Sequence, residues 1–134
     1  MNDDIRPLIL VIDDDLGIRE ALAGTLKNDY RVQPLAYGED TLERAVALRP
    51  ALILLDILLP GISGFEVCRQ LRERAETRTT PVLFMTAMNP EESFKESVSA
   101  GGDAWISKPF TPEQLLGRIR ELLTAPPERK GDGV

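Results

Sequence analysis

The sequence predicts an α/β fold in which five parallel strands alternate with five helices. Short apolar runs alternate with longer amphipathic stretches along the chain, which is the pattern of βα units around a parallel sheet. Several runs are apolar throughout, as expected when helices cover both faces of the sheet. The chain has 134 residues, of which 43% are hydrophobic and 28% are charged, so we expect one globular domain with a genuine core.

The apolar runs place the strands at about residues 8–12, 31–36, 51–55, 82–85 and 104–107. Parallel strands joined by right-handed crossovers favour a doubly wound sheet. We adopt the strand order 2-1-3-4-5 by analogy with the flavodoxin-like class of such sheets. In that class the ligand crevice lies beyond the carboxyl ends of the strands, and the first and third strands flank it.

The first three helices are expected after the first three strands. Two of them are predicted at about residues 16–28 and 39–48. The third begins at the capping box Ser63-Gly64-Phe65-Glu66, in which Ser63 is the N-cap and the Glu66 side chain reaches back to it. Cys68 falls on the apolar side of this helix, where we expect a small buried side chain without a redox role.

The last two helices each begin with an N-cap residue followed by proline. These starts are Asn89-Pro90 and Thr111-Pro112. The fifth helix carries an apolar stripe at helical spacing, formed by Leu115, Leu116, Ile119, Leu122 and Leu123. The fourth helix, at about 90–100, has only Phe94 and Val98 as large apolar residues, so we expect it to pack lightly and to move easily.

Composition and charge exclude several functions. A formal net charge of -6 argues against nucleic acid or an anionic membrane as a direct partner of this segment. One cysteine cannot form an internal disulfide, and the absence of histidine excludes histidine-based catalysis and histidine metal sites. The N-terminus is acidic, and no apolar run approaches membrane-spanning length. We therefore expect a cytoplasmic protein.

Acidic residues follow two strands that should be neighbours in the sheet. Asp13, Asp14 and Asp15 follow the first strand, and Asp56 ends the third. Like charges gather only at a cost unless a cation lies among them. Asp14 and Asp56 offer hard oxygen ligands suited to Mg²⁺, with Asp13 supporting through water. Simple capping of the first helix would explain Asp13, Asp14 and Asp15 but leaves Asp56 unexplained.

Two further strand ends carry a hydroxyl group and an ammonium group. Thr86 closes the fourth strand and Lys108 closes the fifth. Taken singly, Thr86 fits an ordinary turn and Lys108 an ordinary surface position. Together with the carboxylates they suit a phosphoryl group, whose charge Mg²⁺ and Lys108 would offset. We expect the turn Leu58-Leu59-Pro60-Gly61 to expose the carboxylate of Asp56.

These strand ends resemble those of response-regulator receiver domains, the CheY-like modules of two-component signal transduction. The similarity covers residues 8–124, and its four motifs are Val-Ile-Asp13-Asp14-Asp15, Leu-Leu-Asp56-Ile-Leu-Leu-Pro60-Gly-Ile-Ser-Gly64, Met-Thr86-Ala87 and Ser-Lys108-Pro109-Phe110. The resemblance implies that Asp56 accepts a phosphoryl group from a sensor histidine kinase or a phosphotransfer protein. It also implies that the protein catalyses this transfer itself without being a conventional enzyme.

The resemblance assigns two groups of ligands. Mg²⁺, or Mn²⁺ in its place, would be bound by Asp14, Asp56 and the backbone carbonyl of Leu58, with Asp13 contacting it through water. The phosphoryl oxygens would be contacted by Lys108, by Thr86 and by the backbone amide of Ala87.

The resemblance further implies a switch, in which Thr86 moves toward the phosphoryl group and an aromatic residue on the fifth strand turns inward. The family usually has tyrosine, phenylalanine or histidine there, and this chain has the bulkier Trp105. A full inward rotation could therefore be hindered, and a half-buried tryptophan that seals the sheet edge is the alternative. The signal would leave through the face of the fourth helix, fifth strand and fifth helix, toward a second copy or an output domain.

The sequence also bears on the lifetime of the phosphorylated form. Leu58 and Met88 stand two residues after Asp56 and Thr86, and neither side chain can orient an attacking water. We expect slow autodephosphorylation.

Two other functions stay open, as does the role of the last residues. A haloacid-dehalogenase-like phosphatase would use Asp13 as nucleophile and Asp15 as acid/base, but Gly17 stands where threonine or valine is expected and no later acidic pair closes the metal site. A degenerate receiver would act only as an interaction module. We assign residues 1–124 to the receiver domain, and we expect 125–134 to be a disordered tail or a linker to an output domain.

Overall fold

A computed structural model of the chain describes residues 4–124, in which five strands alternate with five helices. The strands are β1 (Leu8–Ile12), β2 (Arg31–Leu35), β3 (Leu52–Asp56), β4 (Val82–Thr86) and β5 (Ala104–Ser107). The helices are α1 (Leu16–Leu26), α2 (Thr41–Leu48), α3 (Gly64–Glu73), α4 (Pro90–Ser99) and α5 (Pro112–Thr124). The tail or linker predicted at 125–134 lies outside the described residues.

The sheet is parallel throughout and has the order β2-β1-β3-β4-β5, which confirms the predicted class. Register pairs at the carboxyl edge are Ile12 with Leu55, Asp56 with Met85, and Thr86 with Ser107. Asp56 and Thr86 are thus the last residues of their strands, one residue beyond the predicted strand ends. Their backbones are fixed by the sheet, and only their side chains are available to a site.

Two apolar clusters fill the space on either side of the sheet. One joins strand residues to α1 and α5 through Leu22, Leu26, Leu115 and Ile119. The other joins strand residues to α2 and α3 through Ala45, Val67, Cys68 and Leu71. Cys68 is fully buried, as predicted for a small apolar side chain. Core on both faces explains why β3 and β4 are buried along their whole length.

Most of the predicted helix starts are confirmed by side-chain caps. Asp15 Oδ1 accepts from the amide of Ile18 at the start of α1, and Ser63 Oγ accepts from the amide of Glu66 at the start of α3. Thr111 and Gln114 form a reciprocal capping box at α5. The region 39–48 differs, because a 3₁₀ turn at Gly38–Asp40 delays the start of α2 to Thr41.

Helix α4 presents its small side chains to the protein and its large apolar side chains to solvent. Ser93, Ser97 and Ala100 are buried, whereas Phe94 and Val98 are 55% and 59% exposed. The hydroxyls of both serines bond to backbone carbonyls one turn earlier in the chain. The light packing predicted for this helix is confirmed.

None of the helices between residues 4 and 124 has the length and apolar character needed to cross a bilayer.

Candidate functional site

Three carboxylates meet at the carboxyl edge of the sheet. Asp13 and Asp14 follow β1, Asp56 ends the adjacent β3, and one carboxylate oxygen from each lies within 4.8 Å of the others. Asp13 is 1% exposed and Asp56 is 5% exposed, whereas Asp14 is open to solvent. The predicted cluster is therefore present. The expectation that the turn after Asp56 exposes its carboxylate is wrong, because that side chain is buried beside Asp13 and Lys108.

Lys108 supplies the cation that this cluster requires. Its Nζ donates to Asp13 Oδ2 over 2.8 Å and to Asp56 Oδ2 over 3.1 Å. Its backbone amide donates to the carbonyl of Thr86 over 2.7 Å, which ties the end of β5 to the end of β4. A lysine that follows β5 thus reaches two carboxylates that follow β1 and end β3.

Backbone amides hold the other oxygens of the two buried carboxylates. The amide of Asp15 donates to Asp13 Oδ1 over 3.0 Å, and the amide of Leu58 donates to Asp56 Oδ1 over 3.1 Å. Each buried carboxylate therefore has one oxygen on a backbone amide and the other on Lys108. The sequence did not predict these amide bonds, because they depend on the path of the chain after each strand.

The charges of this cluster are shifted by burial and by one another. Burial raises the pKa of Asp56, and the neighbouring Asp13 raises it further, while Lys108 and the Leu58 amide act in the opposite direction. Burial by itself lowers the pKa of Lys108, but the hydrogen bond to Asp13 and the charges of Asp56 and Asp13 outweigh it, so that pKa is raised. Lys108 therefore stays charged, and its ammonium group bonds to both Asp13 and Asp56.

A glycine allows α3 to begin directly against the end of β3. The Gly64 amide donates to the carbonyl of Ile57 over 2.9 Å. A Cβ at Gly64 would lie 2.3 Å from the carbonyl oxygen of Asp56, too close for any other residue without a backbone shift. Gly64 therefore helps to set the position of the backbone that carries Asp56.

Thr86 and Ala87 lie at the same edge of the sheet. Thr86 is fully buried, and its Oγ1 accepts a hydrogen bond from the amide of Met88 over 2.8 Å. Ala87 lines a cavity together with Lys108 and Phe110, so the segment after β4 lies beside the lysine. Thr86 ends β4 and Lys108 follows β5, so these two residues lie at the same edge of the sheet.

Trp105 has different neighbours. It is half-buried on β5, opposite Phe84 in the register, and lines a cavity of about 270 Å³ with Phe94, Val98 and Arg118. These cavity neighbours come from α4 and α5 and not from the carboxylate cluster. The structure thus places Trp105 on the face formed by α4, β5 and α5.

Arg19 is a cation near the cluster that sequence reasoning did not identify. Its Nη1 donates to the backbone carbonyl of Asp13 over 2.8 Å. The available signal was its position on the first predicted helix, one turn after the aspartates. Helical spacing alone does not distinguish such a contact from an exposed arginine.

The donor set fits a small, hard divalent cation. Three carboxylate oxygens lie close together, and the exposed Asp14 leaves the cluster open on one side. Mg²⁺ prefers one or two carboxylates and retains several waters, so a partly open site suits it. Asp13, Asp14 and Asp56 could hold such an ion.

Comparison with known proteins decides the family. The family model described as "Response regulator receiver domain" matches residues 9–120, most of the chain and all four strand-end motifs. The chain belongs to this family. The motifs of the receiver domain thus coincide with the carboxylates, hydroxyl and ammonium group that the fold places at one edge.

Similar proteins and solved structures support the same family assignment. Response regulator MprA of Mycolicibacterium vanbaalenii is 38% identical over 129 residues, which cover 94% of this chain and 55% of MprA. Chemotaxis protein CheY4 of Vibrio cholerae has a TM-score of 0.84 at 31% identity, over 88% of this chain and 99% of that one. The BeF3-activated DrrB receiver domain, from Thermotoga maritima, has a TM-score of 0.79 at 35% identity, over 90% and 99%. The chain spans about half the length of MprA.

Proposed function

We propose that this receiver domain accepts a phosphoryl group on Asp56 in a reaction that requires a divalent cation. The observation that carries the proposal is the position of the Asp56 carboxylate. It is buried at the switch point of the sheet, bonded to Lys108, and within 4.8 Å of carboxylate oxygens of Asp13 and Asp14. A carboxylate placed between cationic and metal-binding groups suits nucleophilic attack on phosphorus.

In the proposed reaction, an oxygen of Asp56 attacks the phosphorus of a phosphohistidine. The phosphorus–nitrogen bond breaks, its electron pair returns to the imidazole, and an acyl phosphate forms on Asp56. Lys108 already contacts Asp56, and after the transfer its ammonium group would contact a negatively charged phosphoryl oxygen. Thr86 Oγ and the backbone amide of Ala87 would donate to the remaining phosphoryl oxygens.

Asp14, Asp56 and the backbone carbonyl of Leu58 would hold Mg²⁺ or Mn²⁺, with Asp13 contacting the ion through water. When bound, the cation would offset the charge of the acids and of the phosphoryl oxygens. The charge count at the cluster supports this proposal, since Lys108 forms ion pairs with both buried carboxylates and the exposed Asp14 adds a third acidic side chain.

The proposed phosphoryl donor is a sensor histidine kinase or a phosphotransfer protein. The carboxyl edge of the sheet carries large apolar residues in exposed positions, as a surface that contacts another protein would. Leu16, Tyr37 and Leu58, which lie just after β1, β2 and β3, are 60%, 61% and 56% exposed. A protein donor could contact these side chains while its phosphohistidine reaches Asp56.

The proposed output is a shift of α4 with the α4–β5–α5 face as the contact surface. Thr86 Oγ1 accepts from the amide of Met88, so a movement of Thr86 toward a phosphoryl oxygen would draw on this bond and change the start of the loop before α4. We assign Trp105 to this switch through its place between α4 and α5. A second copy or an output domain would bind there, and the greater length of MprA is consistent with a longer protein.

The direct test is intact-mass analysis after treatment with acetyl phosphate and Mg²⁺. Wild type should gain one phosphoryl group, Asp56→Asn should gain none, and Asp29→Asn, a surface control, should behave as wild type. Labelling that persists in Asp56→Asn but is lost in Asp13→Asn would favour the phosphatase chemistry instead. No labelling of wild type, with Mg²⁺ bound, would favour an interaction module.

The structure gives one reason to prefer Asp56 over Asp13 as the nucleophile. The phosphatase mechanism needs Asp15 as a free acid/base, but Asp15 Oδ1 accepts from the amide of Ile18 as the N-cap of α1.

A further inference from the structure

Arg19 connects α1 to the backbone between two of the predicted metal-binding acids. It lies one turn after the N-cap Asp15, is half-buried, and donates from Nη1 to the carbonyl oxygen of Asp13 over 2.8 Å. Strand β1 ends at Ile12 and α1 begins at Leu16, so this bond spans the whole connection between them. The carbonyl that it holds belongs to the peptide joining Asp13 to Asp14.

That peptide determines where the carboxylate of Asp14 can go. The side chain of Asp13 is held by Lys108 and the Asp15 amide, and its own amide donates to the carbonyl of Leu35 over 3.2 Å. Asp14 is exposed and has no comparable burial to orient it. Because a peptide group is planar, a bond to the Asp13 carbonyl also fixes the amide of Asp14 and the direction in which that residue leaves the strand.

A cation at this place can influence metal binding in two opposite ways. A counter-charge competes with a bound cation, so removing it strengthens metal binding. A group that orients a ligand assists the metal, so removing it weakens binding. Lys108 contacts carboxylates, so it is a counter-charge that competes with the metal. The bond from Arg19 goes to a backbone carbonyl, so Arg19 instead orients a metal ligand.

We propose that Arg19 is a positioning residue for the divalent-cation site, which holds the Asp13–Asp14 peptide so that the Asp14 carboxylate faces the metal. This inference rests on the proposed metal-dependent phosphoryl transfer and adds a residue to it. The guanidinium acts through the backbone and touches neither the metal nor the phosphoryl group.

The test is a calorimetric titration of the full chain with Mg²⁺. Arg19→Met keeps a long side chain without donors, Arg19→Lys keeps the charge with a single-point donor, and Arg44→Met is the control. Arg44 is an exposed arginine on α2, so its replacement changes the net charge by the same amount. A cooperative unfolding transition of each variant, measured without metal, shows that the variant is folded at the start of the titration.

Arg19→Met should raise the dissociation constant for Mg²⁺ about tenfold, at the lower end for groups that orient metal ligands. Arg44→Met should leave it within about twofold of wild type, because the charge of an exposed arginine is screened by solvent and salt. Arg19→Lys should lie between Arg19→Met and wild type. A dissociation constant for Arg19→Met equal to or below that of wild type overturns the inference. If Arg19→Met does not fold, Arg19→Lys decides by the same criterion, with weaker binding than wild type as the supporting result.

A second readout separates positioning of the metal from a general structural effect. The Mg²⁺ concentration that gives half-maximal labelling with acetyl phosphate should rise by the same factor in Arg19→Met, while the rate at saturating Mg²⁺ stays within about twofold of wild type. A lower maximal rate with unchanged Mg²⁺ dependence contradicts the inference. If wild type binds Mg²⁺ but is not labelled, the proposed function fails while the titration still decides the role of Arg19. If wild type binds no Mg²⁺, both are wrong.

Discussion

Asp56 is buried beside a second carboxylate, and Lys108 bonds to both. This arrangement is costly in the absence of metal, because burial and Asp13 raise the pKa of Asp56. The same arrangement should make the ionisation of Asp56 sensitive to an added cation, since a cation would reduce the repulsion between the carboxylates of Asp13 and Asp56. We therefore expect the proposed metal binding to change protein stability through this residue.

Replacing Asp56 with asparagine should stabilise the metal-free protein at neutral pH, because it removes a carboxylate whose charged form is disfavoured by burial and by Asp13. A raised native pKa means that the folded state binds the proton more tightly than the unfolded state. The free energy of unfolding therefore falls as pH rises from the usual carboxyl range through the raised pKa, and Asp56→Asn removes this part of the pH dependence. Urea unfolding in a chelator at several pH values measures both effects.

Asp29→Asn is the matched surface control for this comparison, because it makes the same replacement at an exposed position. Lower stability of Asp56→Asn than of wild type at neutral pH would contradict the prediction. Added Mg²⁺ should stabilise wild type and have a smaller effect on Asp56→Asn, because one ligand carboxylate is gone.

We expect Leu58 to affect the lifetime of the proposed acyl phosphate. Its side chain is 56% exposed just after Asp56 and has no polar group to hold an attacking water. Leu58→Asn should shorten the half-life of phosphorylated protein by about tenfold, less than the roughly 10²–10⁴-fold of a general acid or base, because an amide can orient a water but cannot take its proton. Decay of the phosphorylated mass after removal of the donor measures it, and Leu48→Asn, an exposed leucine on α2, is the control. Equal half-lives in Leu58→Asn and wild type would exclude this explanation for persistence.

Among the elements, α4 differs from α5 in how its apolar residues are used. The large side chains of α4 face solvent and its buried side chains are small, whereas Leu115 and Ile119 of α5 are almost fully buried. An element held by few apolar contacts is displaced at low cost. This difference supports α4, and not α5, as the mobile element of the proposed switch.

The contrast between the two helices predicts unequal effects of alanine substitutions. Phe94→Ala should change the free energy of unfolding by no more than about 0.5 kcal/mol, because its side chain is 55% exposed. Ile119→Ala should cost about 2–4 kcal/mol, because it leaves a cavity in the core. Denaturant unfolding of the two variants under identical conditions compares them. A cost for Phe94→Ala close to that of Ile119→Ala would show that α4 is held by this residue.

At the scale of the whole molecule, Arg72 joins segments that are distant in the sequence. From α3 it donates to the carbonyl of Gly101 after α4 over 2.8 Å and to the carbonyl of Thr80 before β4 over 2.8 Å. Its Nη2 lies 3.1 Å from Asp103 Oδ2, whose carboxylate also accepts from the amide of Val82. This largely buried guanidinium therefore links the chain after the end of α4 to α3 and to the segment before β4.

Arg72→Met should lower the free energy of unfolding by about 3–5 kcal/mol, because it leaves the buried Asp103 without this cation. Arg69→Met is the matched control on the same helix. Arg69 forms ion pairs with Glu66 and Glu96 at the surface, so its loss should cost no more than about 1 kcal/mol. Chemical denaturation measures both. Equal costs would show that burial does not distinguish the two arginines.

Much of the fold was predictable because its signals are local. Apolar runs mark the strands, and the caps at Asp15, Ser63 and Thr111 mark helix starts at the predicted positions. The predicted start of α2 was less accurate, because a 3₁₀ turn and an α-helix share the same local sequence pattern. The bonds of Arg72 were not predictable at all, since a helical arginine gives no local sign of its distant partners.

The sequence by itself determined which groups lie at the ends of the strands, because strand boundaries follow from apolar runs and parallel strands share one carboxyl edge. It therefore identified Asp13, Asp14, Asp56, Thr86 and Lys108 as residues of one site. Only the tertiary structure decided that Asp56 is buried, that Lys108 is shared between two acids and that Arg19 holds the Asp13 carbonyl. Those features depend on distances between residues that packing brings together, which no local pattern in the chain encodes.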